Sequence, residues 1–337
     1  MDIIIGIDIS KRTTDWCVLI GTDKPQFLKV SNTDAAIASA IADIVDRYRV
    51  DASELLLCAE YTNIYWYPLA RVCEQSGVTL WMENAYNISL QTKRRREKND
   101  SADAHQIAMY AKRFGDEMQP YRAKPAAIMQ LRQLISLQED CDRTAAKYKA
   151  RISDVKGFLQ SDSLDISVAT WEAMRAEAKR QSALLGEQIE RLISSDDTLK
   201  RQDELLRSIP GVGAKVSHMV IAHTAGFTTF ANARKFCTQA GVATFRRTSG
   251  TSIDSGDHVS KRCDHRVKRY IHLAARAAAT VCKSGPLREY YDRKRAEGKA
   301  KMSALNAVSA KLITIMFAVI RTDTPFDPTH TYTPGKA

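Results

Sequence analysis

Residues 91–108, QTKRRREKNDSADAHQIA, place a run of basic residues directly before two acids, Asp100 and Asp103. The alanines that follow favour a helix, so both acids are predicted on its first turn, on nearly the same side. Two neighbouring carboxylates repel each other, and a divalent cation such as magnesium, which also binds phosphate, relieves that repulsion. The stretch therefore hints at phosphodiester chemistry. On these residues alone, an acidic helix start after a solvated charge run is the simpler interpretation.

The composition favours a globular protein with a polyanionic partner. At 337 residues the chain is long enough for two or more domains, and its hydrophobic content of 44% is ordinary for a soluble protein. The net charge of +11 favours nucleic acid over a membrane surface. Residues 246–301 hold 15 Lys and Arg against 6 Asp and Glu, so we expect a phosphate backbone to bind there.

The cysteines and apolar runs exclude several other classes. The seven cysteines are scattered without CxxC spacing, which argues against a zinc site or a disulfide framework and fits a reducing cytoplasm. We expect no signal peptide, because the apolar N-terminal stretch is short and no cleavage site follows. The run 312–320 is too short to span a bilayer and is predicted to be a buried helix segment.

The first 90 residues alternate strand and helix signals in the order β-β-β-α-β-α-β, and the helix at Asp100 follows. The first strand, DIIIGIDI, is apolar enough to be buried on both faces. The predicted strands span 2–9, 13–20, 27–30, 54–60 and 78–82, and the predicted helices span 34–48 and 65–75.

Two of these strands end in acids. Asp8 ends the first strand and Glu60 ends the fourth. Sites in mixed α/β sheets form at strand ends, so these acids, with Asp100 and Asp103, could converge on one or two metal ions. Taken singly, each has a plainer explanation, such as an Asp that makes a turn hydrogen bond or a surface Glu.

The middle of the chain is predicted to be helical. From residue 124 to about 204, Gly and Pro are rare and apolar residues recur at helical spacing, which indicates long helices in an antiparallel pair. Residues 161–168 are polar enough for the turn between them. Such a pair is a dimerisation arm or merely a spacer.

Residues 205–222, LLRSIPGVGAKVSHMVIA, have the form of a helix-hairpin-helix. Gly211 and Gly213 would let backbone amides approach a phosphate at the start of the following helix, and Lys215 would add a charge. The alternative is an ordinary corner between helices that needs glycine only for its geometry.

Residues 242–262 mix glycines, hydroxyl residues and cations in one predicted loop. An exposed serine among cations could attack a phosphodiester, because the cations stabilise the developing charge. No His–Asp partner is evident from spacing, so on the residues alone a phosphate-binding loop with hydrogen-bonding serines is the better interpretation. The cations proposed to contact the backbone are Arg246, Arg247, Lys261 and Arg262.

These motifs resemble the IS110 family of insertion-sequence transposases. The GIDIS strand, the acid that ends strand four and the NDSADAHQIA helix resemble its DEDD, RuvC-like ribonuclease-H-fold domain. AGVATFRRTSGTSI, VSKRCDHRVKRYIHLAARAA and the segment from PLREYYDRKRAEGKAKMS to IMFAVIR resemble its transposase domain. The two matches cover roughly the first 115 and the last 135 residues.

The resemblance implies roles for particular residues. The metal-binding quartet would be Asp8, Glu60, Asp100 and Asp103, with Mg²⁺ as the ion. The nucleophile would be Ser249, with Ser252 and Ser255 as the fallback positions. The family usually has Lys-(Arg/Met)-Gly-Asn where this chain has Lys261-Arg262-Cys263-Asp264.

The resemblance also implies an activity and partners. It implies a recombinase that cuts and rejoins DNA through a covalent phosphoserine, guided by a non-coding bridge RNA that pairs with donor and target DNA. It implies a dimer that assembles into a tetramer, a coiled-coil arm that contacts RNA, and a bacterial cytoplasmic location at the nucleoid without a membrane partner. The alternatives are a metal-dependent hydrolytic nuclease of the Holliday-junction-resolvase type and a non-enzymatic nucleic-acid-binding protein.

The predicted architecture has three parts. Residues 1–122 form the α/β ribonuclease-H-like (RuvC-like) domain, 123–200 a helical coiled-coil arm, and 201–337 a mostly α, serine-bearing transposase domain with the helix-hairpin-helix. The basic run before Asp100 is predicted to grip the guide RNA or DNA backbone near the acids. Its cations are Lys93, Arg94, Arg95, Arg96 and Lys98.

Overall fold

The computed structural model describes residues 3–91, 100–158, 165–249, 253–282 and 284–330. The chain divides into two compact units, Met1–Ala123 and Lys124–Ala337. The predicted arm therefore lies in the second unit. Its further separation from the serine-bearing part at residue 200 remains a prediction.

The first unit is a mixed α/β domain whose element order is the predicted one, except for an additional short helix (Ala85–Gln91) before the Asp100 helix. Its sheet has the strand order β3-β2-β1-β4-β5. β2 runs antiparallel to both of its neighbours, β1 and β3, whereas β4 and β5 run parallel to β1. The elements are β1 (Ile3–Ile9), β2 (Thr13–Ile20), β3 (Gln26–Ser31), α1 (Asp34–Tyr48), β4 (Leu55–Glu60), α2 (Tyr67–Ser76), β5 (Thr79–Glu83), α3 (Ala85–Gln91) and α4 (Asp100–Phe114). This topology confirms the ribonuclease-H-like α/β domain.

Helices cover both faces of this sheet. On one face, apolar side chains of α1 and α2 pack against alternate residues of β1, including Ile5 and Ile7. On the other face, Ala104 and Ala108 of α4 pack against Cys17 of β2. Because both faces are covered, β1 and β4 are almost wholly apolar, as buried parallel strands usually are.

Gly6 explains how closely α4 approaches β1. A Cβ atom at this position would lie 2.2 Å from the Ala108 backbone nitrogen and 2.3 Å from the Ala104 carbonyl oxygen. Only glycine accommodates backbone at that distance. The glycine of the GIDIS strand therefore sets the height of α4 above the sheet.

The second unit is mostly helical, as predicted, with one two-stranded hairpin. Its elements are α5 (Ala126–Phe158), α6 (Asp165–Ser194), α7 (Asp197–Arg207), α8 (Ala214–Thr224), α9 (Ala233–Gln239), β6 (Thr244–Ser249), β7 (Ile253–Val259), α10 (His265–Arg276), a π-helical turn (Ala277–Val281), α11 (Pro286–Ala296) and α12 (Lys301–Thr322).

The long helices α5 and α6 form the predicted antiparallel pair. The Gln138 side chain donates to the Ser182 carbonyl at 3.0 Å, and Lys156 pairs with Glu172 at 2.8 Å, so later residues of α5 meet earlier residues of α6. Of the predicted turn, residues 161–164 lie outside the described residues. Residues 165–168 belong to α6 rather than to a turn.

The core of the second unit surrounds α12. Buried residues such as Leu312 and Val319 pack there with apolar side chains from α7, α8, α9 and α10. The predicted burial of the run 312–320 is confirmed, although Phe317 and Ile320 are only partly buried. By length and composition alone α12 could cross a membrane, but 61% of its most apolar window is buried inside the unit, as in a core helix.

The serine-rich region is where the sequence-based secondary structure was wrong. Residues 244–249 and 253–259 were predicted to lie in a loop, yet they form β6 and β7, paired antiparallel. The β-prone residues Thr244, Phe245 and Thr248 outweigh the glycines and serines. The pairing shifts register between Phe245 and Arg247, which marks an irregularity in the hairpin.

Candidate active site

Asp8 and Glu60 lie side by side at one edge of the first unit's sheet. Ile7 of β1 pairs with Ala59 of the parallel strand β4, so the next residue of each strand is an acid. Side chains alternate between the faces of a sheet, so Asp8 shares the face of Gly6, and Glu60 shares the face of Cys58. That is the face covered by α4.

The first turn of α4 brings the other two acids to the same edge. Ala104 and Ala108 contact β1 at Gly6, and Asp100 and Asp103 precede them on the helix. Both acids are thereby carried toward the end of β1 that holds Asp8.

The pKa values of Asp8 and Glu60 respond to the acids around them. Burial raises the pKa of Asp8, and repulsion from Asp103 and Asp100 raises it further. Burial likewise raises the pKa of Glu60, followed by repulsion from Asp8 and Asp103. The acids that the sequence analysis singled out therefore lie close enough for Asp8 to feel Asp100 and Asp103, and for Glu60 to feel Asp8 and Asp103.

The donor set fits a divalent cation. Carboxylate oxygens are the hard ligands that Mg²⁺ prefers, and a cation would remove the repulsion that raises the pKa of Asp8 and Glu60. Asp8 and Glu60 are half-buried, whereas Asp100 is exposed, so the group is open on one side. A phosphate could reach an ion held there.

Glu83 is a fifth acid at this edge, which the sequence analysis missed. It ends β5 and pairs in register with Glu60. Its carboxylate accepts hydrogen bonds from the Tyr110 hydroxyl at 3.2 Å and from Asn87 Nδ2 at 2.9 Å. Burial, reinforced by the Glu83 charge, raises the pKa of Tyr110 to about 12. Because Glu83 already has these partners, we interpret it as a support for α4.

The predicted nucleophile belongs to the other unit. Ser249 is the last residue of β6, and its backbone pairs with Ile253 at the start of β7. It therefore lies where the hairpin turns, while Ser252 lies outside the described residues. Ser255 falls within β7, in register with Arg247.

Two family models match this chain in order. The DEDD transposase model of the IS110 group spans residues 5–156, which include all four acids. The model described as "Transposase IS116/IS110/IS902 family" spans residues 203–292, which include Ser249. The chain belongs to the IS110 family of transposases. Membership makes it a DNA transposase, with DNA as a partner.

Two curated relatives and one solved structure show what the chain is similar to. The pilin gene-inverting protein of Moraxella bovis is 26% identical over 329 residues, which cover 96% of this chain and 97% of the relative. An insertion element IS110 protein of Streptomyces coelicolor is 30% identical over 165 residues, which cover 49% of this chain and 39% of the relative. Among solved structures, Thermus thermophilus RuvC aligns with a TM-score of 0.27 at 13% identity, covering 35% of this chain and 99% of RuvC.

The structure accounts for the departure at Cys263-Asp264 in this IS110-family chain. The Asp264 carboxylate caps α10 by accepting from the backbone amides of Arg266 and Val267, a role that Asp and Asn fill equally well. It also lies 3.3 Å from the His223 ring, whose pKa burial lowers to about 4. Cys263 packs against Gly241, where an added Cβ would lie 2.5 Å from its sulfur. The cap at the start of α10 is thus retained.

The glycines of the predicted helix-hairpin-helix segment differ in their surroundings. Gly211 has φ +86°, and an added Cβ would lie 2.6 Å from the Ala274 carbonyl oxygen, so its geometry serves close packing on α10. Gly213 is exposed, with open space around it. Lys215 pairs with Asp142 at 2.7 Å. Phosphate contact by these residues remains a prediction.

The remaining predicted contacts are placed only in part. Arg246 is exposed on β6, and Lys261 and Arg262 are exposed after β7. Arg247 is paired in the hairpin through its backbone. The basic run, Lys93 to Lys98, lies outside the described residues.

A further cluster with metal-ligating side chains lies in the second unit. Glu190, Asp203 and His218 have ligand atoms within 4.8 Å of one another. The Arg207 guanidinium lies 2.7 Å from Glu190, 2.8 Å from Asp203 and 2.9 Å from His218. Since a cation already sits among them, we interpret the cluster as an ion network that joins α6, α7 and α8.

Proposed function

We propose that this IS110-family transposase is an RNA-guided recombinase that cuts and rejoins DNA through a covalent phosphoserine. The observation that carries the proposal is the convergence of four carboxylates at one sheet edge, on a chain whose second unit holds a serine where an arginine-bearing hairpin turns. Family membership supplies the context in which these two features act together.

Ser249 would attack the scissile phosphate. Its Oγ forms a bond to phosphorus, the bond from phosphorus to the sugar oxygen breaks, and the serine proton passes overall to the departing sugar hydroxyl. When a hydroxyl of a second DNA end attacks the phosphoserine, the reverse exchange joins the strands. Because the phosphoserine stores the energy of the bond, rejoining needs no ATP.

Asp8, Glu60, Asp100 and Asp103 would hold one or two Mg²⁺ ions against the same phosphate. When bound, the metal neutralises charge on the non-bridging oxygens and helps the sugar hydroxyl to leave. The exposed cations Arg246, Lys261 and Arg262 would bind the strand by its backbone. With the glycines and Lys215 of the helix-hairpin-helix and with Arg247, they make up the proposed contact surface.

Guidance by a bridge RNA fits the charge distribution. A protein that leaves sequence choice to base pairing needs to bind backbones and shape, as other RNA-guided systems do. The excess of positive charge over residues 246–301, and the cations Lys93 to Lys98 beside the acids, suit such backbone contacts.

Assembly of the active site follows from the family resemblance. We propose that the serine and the acids that act on one phosphate come from different protomers, so that a dimer is the minimum and a tetramer forms on donor and target DNA. The α5–α6 pair would be the dimerisation and RNA-contacting arm. A location at the nucleoid of the cytoplasm accompanies this proposal.

A hydrolytic nuclease is the second candidate. A carboxylate site of this kind suffices for metal-dependent attack by water, in which case Ser249 would only bind phosphate. The two candidates differ in whether the DNA becomes attached to protein.

The test combines purified protein, Mg²⁺, end-labelled donor and target DNA, and the non-coding RNA encoded beside the gene. We expect a protein–DNA adduct that survives denaturation, maps to the peptide that contains Ser249, and forms only with the matching RNA. Cleavage without an adduct would establish the nuclease instead. An adduct that forms equally with unrelated RNA would refute the guidance.

A further inference from the structure

A large cavity lies at the base of the β6–β7 hairpin in the second unit. Its volume is about 1310 Å³, it is open to solvent on one side, and residues of α9, α10, α11, α12 and the open end of the hairpin line it. Pockets for single small ligands measure roughly 300–1,000 Å³. The space therefore suits a segment of a polymer better than one metabolite.

The walls of the cavity are strongly basic. Lysine and arginine side chains line it from four sides, together with three histidines, and none of the described residues that line it is Asp or Glu. Its cations are Arg234, Lys268, Arg269, Lys299 and Lys311. The charge of Arg269 is offset by buried Glu139, 2.6 Å away. A nucleic-acid-binding protein would place a phosphate among the remaining lysines and arginines of the cavity.

Burial and nearby cations lower the pKa of two basic groups that line the cavity. Burial lowers the pKa of His272, and the charges of Arg276 and Lys268 lower it further. Burial also lowers the pKa of Lys311, with Arg293 adding to the effect. A bound anion would relieve both.

Part of the cavity lining, which we call the floor, is apolar, and a duplex would have no use for it. Val242, Ala243, Ala307 and Ala310 line it with small side chains, and Met302 is 61% exposed beside them. A duplex offers phosphates and sugars while its base faces stay stacked inside. An unpaired nucleotide has a free base face, which apolar and aromatic side chains bury.

Two side chains add features that suit an unpaired base. The Tyr290 ring lines the cavity, and the Arg293 guanidinium lies 5.1 Å from the centroid of that ring. Both the ring and the guanidinium are groups on which a base can stack. Asn306 donates through Nδ2 to the Val242 carbonyl at 2.9 Å, which fixes its amide orientation. Its carbonyl oxygen can then accept from a base edge.

The geometry points to a binding cavity for an unpaired segment of nucleic acid, with phosphates on Lys268, Lys299 and Lys311 and a base against the floor. The reason for a nucleic-acid strand to reach this cavity rests on the proposed function. β6 leads from the cavity at Thr244 to Ser249, about 16 Å away at ~3.3 Å per residue. A strand seated in the cavity would be held one strand length from the serine.

The first test removes charge from the walls. Binding of a fluorescent single strand of about 8 nucleotides, within the range of known single-strand site sizes, is measured by anisotropy against salt, beside a duplex of the same sequence. For Lys268→Ala/Lys299→Ala we expect single-strand affinity to fall at least ~10-fold and the salt slope to fall by about 0.7 per lost phosphate contact. The matched control is Lys200→Ala/Lys235→Ala, two exposed lysines of the same unit outside the cavity.

The second test fills the floor without changing charge. Ala307→Phe places a ring in the cavity, whereas Ala296→Phe adds the same ring at an exposed position on α11. We expect only Ala307→Phe to weaken single-strand binding, and both variants to keep their duplex affinity. Thermal melting of each variant verifies that it is folded.

The outcomes separate the possibilities. Selective loss of single-strand binding in the wall and floor variants supports the cavity, and a DNA strand and an RNA strand tested in parallel show which is bound more tightly. Equal loss of single-strand and duplex binding, or no loss, overturns it. If wild type forms no serine adduct but the cavity variants lose single-strand binding, the proposed function fails and the cavity stands. If wild type forms the serine adduct but the cavity variants bind single strands as wild type does, the proposed function stands and the cavity proposal fails.

Discussion

The two units place their candidate reactive groups in different ways. In the first, each acid comes from the end of a separate element, and the sheet register with the approach of α4 at Gly6 fixes their convergence. In the second, the candidate serine lies where one hairpin turns, above a basic cavity. A metal site needs several ligands held together, whereas a covalent nucleophile needs one hydroxyl and a bound strand. Changes in the first unit should therefore alter stability and metal binding, whereas changes in the second unit should alter the covalent chemistry.

The largest expected effect is on the second unit. Ser249→Ala should reduce strand transfer at least ~10³-fold, about 4 kcal/mol, because the hydroxyl that forms the covalent bond is removed. It should leave Mg²⁺-dependent stabilisation unchanged. Quantified joint products check this, and Ser252→Ala, at the alternative position, should change the rate by less than a few fold. A larger loss in Ser252→Ala would move the nucleophile to that residue.

The next largest effect is expected from disturbing the packing of α4, which carries two of the four acids. Gly6→Ala places a Cβ against the backbone of α4 and should destabilise the first unit by about 3 kcal/mol, the upper end of overpacking costs. Chemical denaturation measures this loss. Gly115→Ala is the matched control, because an added Cβ there meets open space. Equal stability of the two variants would show that α4 does not depend on Gly6.

Magnesium should stabilise the first unit through the carboxylates. At ~10–100 times its Kd, the ion should add about 1.4–2.7 kcal/mol to wild type and much less to Asp8→Asn. Thermal melting with and without Mg²⁺ gives the difference. Asn32→Ala is the control, because Asn32 lies outside the quartet and donates a hydrogen bond to the Ser10 carbonyl. This variant should be less stable than wild type but should keep the stabilisation by magnesium.

The pH dependence without metal sharpens that result. Because the pKa values of Asp8 and Glu60 are raised in the folded state, the stability linked to them is present at low pH and is lost as pH rises through the raised values. Asp8→Asn removes one repelling charge, so without Mg²⁺ it should melt at a higher temperature than wild type at pH 7. A lower melting temperature would mean that the acids do not repel each other.

The smallest effect concerns Glu83. Tyr110→Phe removes the hydrogen bond to its carboxylate and should cost about 1 kcal/mol. Tyr48→Phe, which loses a hydrogen bond to Gln26 at the surface, is the control. We expect Mg²⁺ affinity to weaken in Tyr110→Phe alone, as measured by titration calorimetry. Identical affinities would limit Glu83 to a role in stability.

Sequence patterns predicted the first unit well because its strands and helices carry clear local periodicity. The convergence of Asp8 and Glu60 also followed from strand order, since each acid ends a strand. Glu83 follows the same rule, but the fifth strand was predicted to end at residue 82, whereas β5 extends to Glu83. The packing of Gly211 on Ala274 could not be predicted, because it depends on a helix far along the chain. The β6–β7 hairpin was missed because its glycines and serines resemble those of a loop.

The most direct measurement follows adduct formation and magnesium stabilisation together in wild type, Ser249→Ala and Asp8→Asn. The division between the units predicts that wild type shows both, that Ser249→Ala keeps the stabilisation but forms no adduct, and that Asp8→Asn loses most of both. Magnesium-dependent DNA cleavage that persists in Ser249→Ala, with no adduct in wild type, would contradict the serine mechanism and leave a metal-dependent nuclease.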